Sequence, residues 1–173
     1  GVNPCAEEPL PAGGSCLLGS LNLAAFVDED EWGPKFAFED FEDAVELAVV
    51  ALNDVLDEGL PLHPLEEQRK SVADWRQIGL GIFGLADMLI QLGCKYGSRD
   101  AKILCHKIAR TMATAALRSS AKLAAEFGAY PKFNKGAVMS SEFFNEHFDD
   151  ETWKLTDAFG LRNSQLLTIA PTG

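Results

Sequence analysis

The strongest constraint on how this chain can fold is the stretch from Ser98 to Gly128. Ala101, Leu104, Cys105, Ile108, Met112, Ala115, Ala116 and Leu123 recur at helical spacing and form one apolar stripe. Ser98 stands where a hydroxyl can accept from the first unpaired backbone N–H groups, and Gly128 closes the run. A second stripe, Phe41, Val45, Ala48, Val49, Leu52, Val55 and Leu56, predicts a helix over about Glu39–Asp57. Its opening turn carries Glu39, Asp40, Glu42 and Asp43, where negative charge suits the helix dipole, and Gly59 is its natural stop. Two long helices that are apolar on one face must bury those faces, so a globular core is required.

The remaining elements read as shorter. Pro64 fits the first turn of a helix over Leu65–Lys70, a third helix is expected over about Trp75–Leu92, and two more over Ser141–Phe148 and Glu151–Phe159, the last with Asp150 as cap. Strand-like segments fall only near the two ends, at Ser15–Leu18 and Ser164–Ile169, and the acidic run Asp28–Glu31 reads as a solvated loop. Pro4, Pro9, Pro11, Gly13 and Gly14 keep residues 1–27 irregular at first. The expected class is a mostly α piece of an α/β protein, resembling the middle of a domain whose other strands are missing.

Composition narrows the function. At 173 residues the chain is one domain or part of one, and the absence of an initiating Met suggests an excised fragment. Fifteen Lys+Arg against 26 Asp+Glu leave a net charge of −11, which argues against nucleic acid as a partner. A local cluster of backbone N–H groups could still hold a nucleotide phosphate. No apolar run is long enough for a membrane span, and the first residues lack the basic and apolar regions of a signal peptide. Four cysteines are too few for a disulfide scaffold, so a reducing compartment, the cytoplasm, is expected.

Gly79-Leu80-Gly81-Ile82-Phe83-Gly84 matches the dinucleotide fingerprint GxGxxG. The fingerprint needs a buried strand before it and an acid about 20 residues after it. The preceding Ser71-Val72-Ala73-Asp74-Trp75-Arg76-Gln77 is polar, and the first candidate acid, Asp100, opens a helix. Glycines that let a helix approach its neighbour closely are the simpler reading. No metal site is expected, because His63, His106 and His147 are dispersed and no CxxC or HExxH occurs. Cys94 and Cys105 read as ordinary thiols. In the N-terminal segment Asn3, Cys5 and Glu7 alternate, so on an extended loop a thiol would stand between an amide and a carboxylate that could serve as a base. Cys16 follows a Gly-Gly turn that could bring it into the same cavity. A polar loop with two passive cysteines fits the same spacing.

Taken together, Asn3-Pro4-Cys5-Ala6-Glu7 and Gly14-Ser15-Cys16-Leu17-Leu18-Gly19-Ser20-Leu21-Asn22-Leu23 resemble the active-site region of ribonucleotide reductase large subunits. Ile78–Asp87 is similar to that family's glycine-rich helix segment, Ser120–Tyr130 to its long helix ending in a Gly-x-Tyr turn, and Arg162–Gly173 to the strand entering its phosphate-binding loop. The details look most like the adenosylcobalamin-dependent branch.

The resemblance implies part of a ten-stranded α/β barrel. Residues 1–27 would hold a finger loop and a reducing-thiol strand, 39–159 a helical region, and 164–173 a strand and phosphate loop. It implies an enzyme that makes deoxyribonucleotides for DNA synthesis by thiyl-radical chemistry. Cys5 would become the thiyl and abstract the ribose 3′-hydrogen, Glu7 would take the 3′-hydroxyl proton, and Asn3 would hydrogen-bond the sugar hydroxyls. Cys16 would be one of two thiols oxidised to a disulfide. Thr172, with Ala170 and Gly173, would bind the substrate phosphates. The implied partners are a ribonucleotide, the remainder of the reductase chain and a thioredoxin-type reductant. No cysteine here matches the second reducing thiol, so the isolated segment is expected to be inactive. The alternatives are a reductase of the same family that draws its radical from a metallosubunit, and a helical interaction module without chemistry.

Overall fold

The Ser98 hydroxyl accepts the N–H of Ala101 at 3.2 Å and starts the longest helix, α4 (Arg99–Phe127). A computed structural model describes residues 1–15 and 17–171, except for the side chain of His147. In chain order these residues form β1 (Leu18–Asn22), β2 (Val27–Asp30), β3 (Gly33–Phe36), α1 (Phe38–Gly59), α2 (Glu66–Trp75), β4 (Gly79–Phe83), α3 (Leu85–Gln91), α4, α5 (Lys135–Met139), α6 (Glu142–His147) and α7 (Asp150–Phe159).

The two long stripes meet as expected. Phe41, Val45, Val49, Leu52 and Leu56 of α1 are buried with Ile108, Met112, Ala116, Leu117 and Ala121 of α4 in one core. The small residues Ala113, Ala116, Ser119 and Ser120 on α4 let side chains of a neighbouring helix seat between its ridges. The β2–β3 hairpin covers the start of α1, where Phe26 and Phe36 meet Phe41 edge-on at 5.2 and 5.4 Å. Asp28, Glu29 and Asp30 are solvated as expected, but on a strand rather than a loop.

The stretch read as a third helix is divided in three. Arg76 takes a left-handed conformation (φ 46°) and ends α2 at Trp75. Residues 79–83 then pair in parallel with β1, in register Leu18 with Gly79 through Asn22 with Phe83. Only the last part, α3, is helical, and it begins after Gly84, whose positive φ of 72° turns the chain. Two glycines in five residues weaken helix propensity, and pairing with β1 decides the outcome. The expectation of strands only near the chain ends, and of a helical region over 39–159, is corrected accordingly. The expected close approach of glycines holds, in a strand rather than a helix.

Beside β4, on the side away from β1, runs the segment after Ser164. Ile78 N–H donates to Gln165 O at 3.2 Å, Leu80 N–H to Leu166 O at 2.8 Å, and Thr168 N–H to Leu80 O at 3.1 Å. Leu80 and Leu167 form a parallel bridge, so the segment read as a strand is a short parallel addition to the sheet. Smaller shifts are local. The first strand begins at Leu18 rather than Ser15, and α2 runs to Trp75 rather than Lys70. The last helix is capped by Asp149, whose carboxylate accepts the N–H of Thr152 at 2.7 Å, rather than by Asp150. The five-residue α5 lies in a stretch to which the sequence pattern assigns no individual helix. Parallel strands flanked by helices give the α/β layer that the sequence implies. Among the described residues no helix is long and apolar enough to cross a membrane.

Candidate active site

The N-terminal segment folds back on itself. Val2 and Pro9 form an antiparallel bridge, Asn3 N–H donates to Glu8 O at 3.1 Å, and Leu10 N–H donates to Gly1 O at 2.9 Å. The reversal is a four-residue turn closed by Ala6 N–H to Asn3 O at 3.0 Å, with Pro4 at the position that favours its fixed φ. Ala6 leaves the turn with φ 61°. An extended segment with Asn3, Cys5 and Glu7 on one side is therefore not what forms. Asn3 and Glu7 face each other across the turn, and Cys5 occupies its exposed tip.

The pair below the tip is ordered. The Asn3 side chain is buried, its amide oxygen accepts Glu8 N–H at 3.2 Å, and its amide nitrogen donates to Glu7 Oε1. One Glu7 oxygen is thus engaged by an amide donor. The other, Oε2, is buried and has no hydrogen-bond partner among the described residues. A buried carboxylate oxygen without a partner costs free energy unless a donor reaches it, and a substrate hydroxyl is such a donor. Glu8 is 2% exposed and fixes the base of the loop.

The loop is seated on residues that local motifs did not single out. The Thr168 hydroxyl donates to Glu7 O at 3.1 Å. Gln165 Nε2 donates to Pro9 O at 2.8 Å and Gln77 Nε2 to the same oxygen at 3.3 Å, while Gln77 also donates to Gln165 Oε1. These contacts bring the segment that ends in Ala170, a half-buried residue, under the N-terminal loop. Cys16, Thr172 and Gly173 lie outside the described residues. Cys94 and Cys105 are half-buried on the helical side of the chain. Burial pushes the Cys105 thiol up, with a smaller contribution from Cys94, which favours its protonated form. Among the described residues no group of three or more His, Cys, Asp or Glu side chains is placed to hold a metal ion.

The residue pattern of loop and C-terminal segment can be compared with known proteins. All of residues 1–173 match the family model for the ribonucleotide reductase barrel domain. The chain belongs to the ribonucleotide reductase family. It is 36% identical over 172 residues to the vitamin B12-dependent ribonucleoside-diphosphate reductase of Thermoplasma acidophilum, covering 99% of this chain and 20% of that protein. The protein of the same name from Mycobacterium tuberculosis is 33% identical over 172 residues, covering 99% of this chain and 22% of the relative. The ribonucleoside-diphosphate reductase large subunit of African swine fever virus is 35% identical over 135 residues, 78% of this chain and 17% of its own length. The chain thus spans about one-fifth of the length of these curated relatives. Membership in the reductase family also answers the alternative of an unrelated helical interaction module.

Proposed function

We propose that residues 1–173 carry the radical-bearing loop and part of the substrate floor of a ribonucleotide reductase, within its ten-stranded barrel. The observation that carries this reading is the turn itself. It presents one thiol at its tip above an Asn3–Glu7 pair whose remaining carboxylate oxygen is buried and waits for a donor.

In this reading the Cys5 thiyl takes the hydrogen atom from C3′ of the ribose and becomes a thiol. Glu7 Oε2 accepts the 3′-hydroxyl proton, and Asn3 holds the carboxylate through Oε1. The 2′-hydroxyl leaves as water. Two further thiols, one of them Cys16, give up two electrons and two protons and end as a disulfide. The hydrogen atom then returns from Cys5 to C3′ and the proton from Glu7 to the 3′-oxygen, so that ribonucleotide and dithiol become deoxyribonucleotide, disulfide and water. Thr172 with Ala170 and Gly173 would receive the substrate phosphates, and a thioredoxin-type dithiol would regenerate the reducing pair in the complete enzyme. A closed barrel serves this chemistry because a thiyl is quenched by stray reductants unless they are excluded.

Two relatives are vitamin B12-dependent by name, and the same cofactor is assigned to the reductase that contains this segment. Adenosylcobalamin, when bound, supplies an organic radical able to take a hydrogen atom from a thiol. Cys5 fits such a source because its side chain stands at the exposed tip of the loop and not within the packed layer. The chain's own part is to present that sulfur and to keep the acid–base pair below it dry.

The test is a full-length reductase carrying this segment, assayed for deoxynucleotide formation with and without adenosylcobalamin. Cys5→Ser is expected to abolish turnover while nucleotide binding persists, because a hydroxyl cannot become a thiyl under these conditions. Glu7→Gln is expected to lower turnover by about 10²-fold or more, the usual worth of a positioned general base. Full activity of Cys5→Ser would remove the assignment, and full activity without cobalamin would point to a metallosubunit. The 173 residues alone should make no deoxynucleotide.

A further inference from the structure

The Gly79-Leu80-Gly81 run is left unexplained by the chemistry above. These glycines sit inside β4, between β1 and the segment 165–168, and each marks a place where a side chain would collide. A Cβ on Gly79 would lie 2.7 Å from Leu18 Cδ2, 2.8 Å from Thr168 Cγ2 and 3.0 Å from Glu8 Oε2. A Cβ on Gly81 would lie 2.7 Å from the Thr168 carbonyl oxygen. Thr168, itself 6% exposed, borders both vacancies, sharing the one at Gly79 with Leu18 and Glu8. Its N–H is spent on Leu80 O and its hydroxyl on Glu7 O.

We propose that Thr168, seated on the glycines of β4, together with Gln165 and Gln77, forms a clamp that sets the position of the Cys5 loop through the carbonyls of Glu7 and Pro9. This rests on the reductase reading for its consequence, although the clamp itself stands on geometry. The descending limb of the loop has two backbone oxygens fixed by side chains, Glu7 O by Thr168 and Pro9 O by the two glutamine amides. The glutamines are tied to each other, so the Pro9 site is a paired donor rather than two independent contacts. The Glu7 carbonyl and carboxylate belong to one residue, and moving the first moves the second. The three residues are positioning residues, because each acts on the backbone and none touches the thiol or the carboxylate. On this account the GxG pair serves close approach of a neighbouring chain segment and has no role in binding a pyrophosphate.

The experiment uses the full-length reductase with Thr168→Val, which keeps the shape and removes the hydroxyl, and Thr168→Ser, which keeps the hydroxyl. Thr168→Val is expected to lower kcat by at least about tenfold with KM within about twofold, since a misplacement near 1 Å can cost on the order of 10²-fold. Thr168→Ser should recover most of that loss. Deuterium exchange should rise in the peptide covering residues 1–15 of Thr168→Val while α1 and α4 stay at wild-type protection. Gln165→Met, at a half-buried position that folding tolerates, should give the same pattern with a smaller amplitude. Unchanged loop exchange and unchanged kcat in both Thr168→Val and Gln165→Met overturn the clamp, even where Cys5→Ser is inactive and the reductase reading holds. Faster loop exchange in Thr168→Val, combined with an active Cys5→Ser, retains the clamp and removes the reductase role. Equal losses in Thr168→Val and Thr168→Ser, or a rise in exchange across α1 and α4, would reduce Thr168 to a packing residue and overturn the proposal as well.

Discussion

The α1–α4 seam and the N-terminal loop are held by opposite means. The seam buries a continuous apolar surface and adds a polar knot in which every amide group is used. Asn163, 1% exposed, donates to Asn53 Oδ1 and Arg76 O, both at 2.9 Å, and accepts from Asn53 Nδ2 at 3.1 Å and Ser120 Oγ at 3.0 Å. Ser120 in turn accepts the N–H groups of Arg162 and Asn163. The loop has no such reserve. Its fully buried side chains, Asn3 and Glu8, are both polar, while Val2, Pro4, Cys5, Ala6 and Pro9 are exposed. With little apolar area to remove from water, it keeps its shape through individual hydrogen bonds, each worth about 0.5–1.5 kcal/mol net. The molecule therefore joins a rigid frame to a loop of lower local stability, whose position rests on a few polar contacts.

The sharpest way to break this contrast is to attack the knot. Asn163→Leu takes away the donor to the Arg76 carbonyl and the acceptor of the Ser120 hydroxyl in a closed site, and leaves Asn53 only its bonds to Val49 O and Arg76. It should cost about 2–4 kcal/mol in urea unfolding of the chain, visible at every probe. A loss below about 0.5 kcal/mol would mean that water or rearrangement satisfies the knot, and the seam would be no different in kind from the loop. The next effect concerns the wild-type protein. Amides that close the loop, those of Asn3, Ala6 and Leu10, should exchange with deuterium through openings at least about 2 kcal/mol cheaper than those of central α4. Equal protection in the two places would merge loop and frame into one cooperative unit.

The frame was legible from the sequence because its signals are local. Periodicity places α1 and α4 to within one or two residues, and Ser98 caps α4 as its chemistry suggests. The division of residues 75–92 was not legible, because nothing near Gly79 reveals that Leu18–Asn22 will pair with it, some sixty residues away in the chain. Resemblance found the loop residues Asn3, Cys5 and Glu7, yet i,i+2 alternation misplaced Cys5. Pro4 and the positive φ of Ala6 reverse the chain, and alternation holds only for extended backbone. Thr168 and Gln165 lie inside the Arg162–Gly173 resemblance, which gives them no role, and Gln77 carried no signal. A threonine in an apolar strand and two glutamines at strand ends acquire meaning only when folding brings them to Glu7 and Pro9.

The smallest effects test whether charge supports the frame as burial does. Arg118 on α4 reaches Glu42 and Glu46 of α1, the latter at 2.7 Å, and Asp149 at the start of α7 at 3.4 Å. Burial disfavours ionised Glu46, but hydrogen bonds from Lys122 and Arg118 outweigh it and hold its carboxyl below the usual range. Because these carboxylates are partly solvated, Arg118→Met should cost only about 1 kcal/mol, and less in high salt. Asp57 gives the weakest and most specific signal. The Arg76 guanidinium grips it through Oδ1 at 2.5 Å and Oδ2 at 2.9 Å and lowers its carboxyl, against a smaller opposing effect of burial. A carboxyl lowered by folding stabilises the folded state above the unfolded value, near pH 4, and that contribution is lost as pH falls through the folded value. With half of the Asp57 side chain in solvent, the contribution should stay below about 1 kcal/mol. Asp57→Asn should therefore lower stability slightly at pH 7 and converge on the wild type at the acid end of a urea-unfolding pH series. A constant gap between the two across the series would assign the loss to packing around Arg76, and charge would have no part in holding the frame at this point.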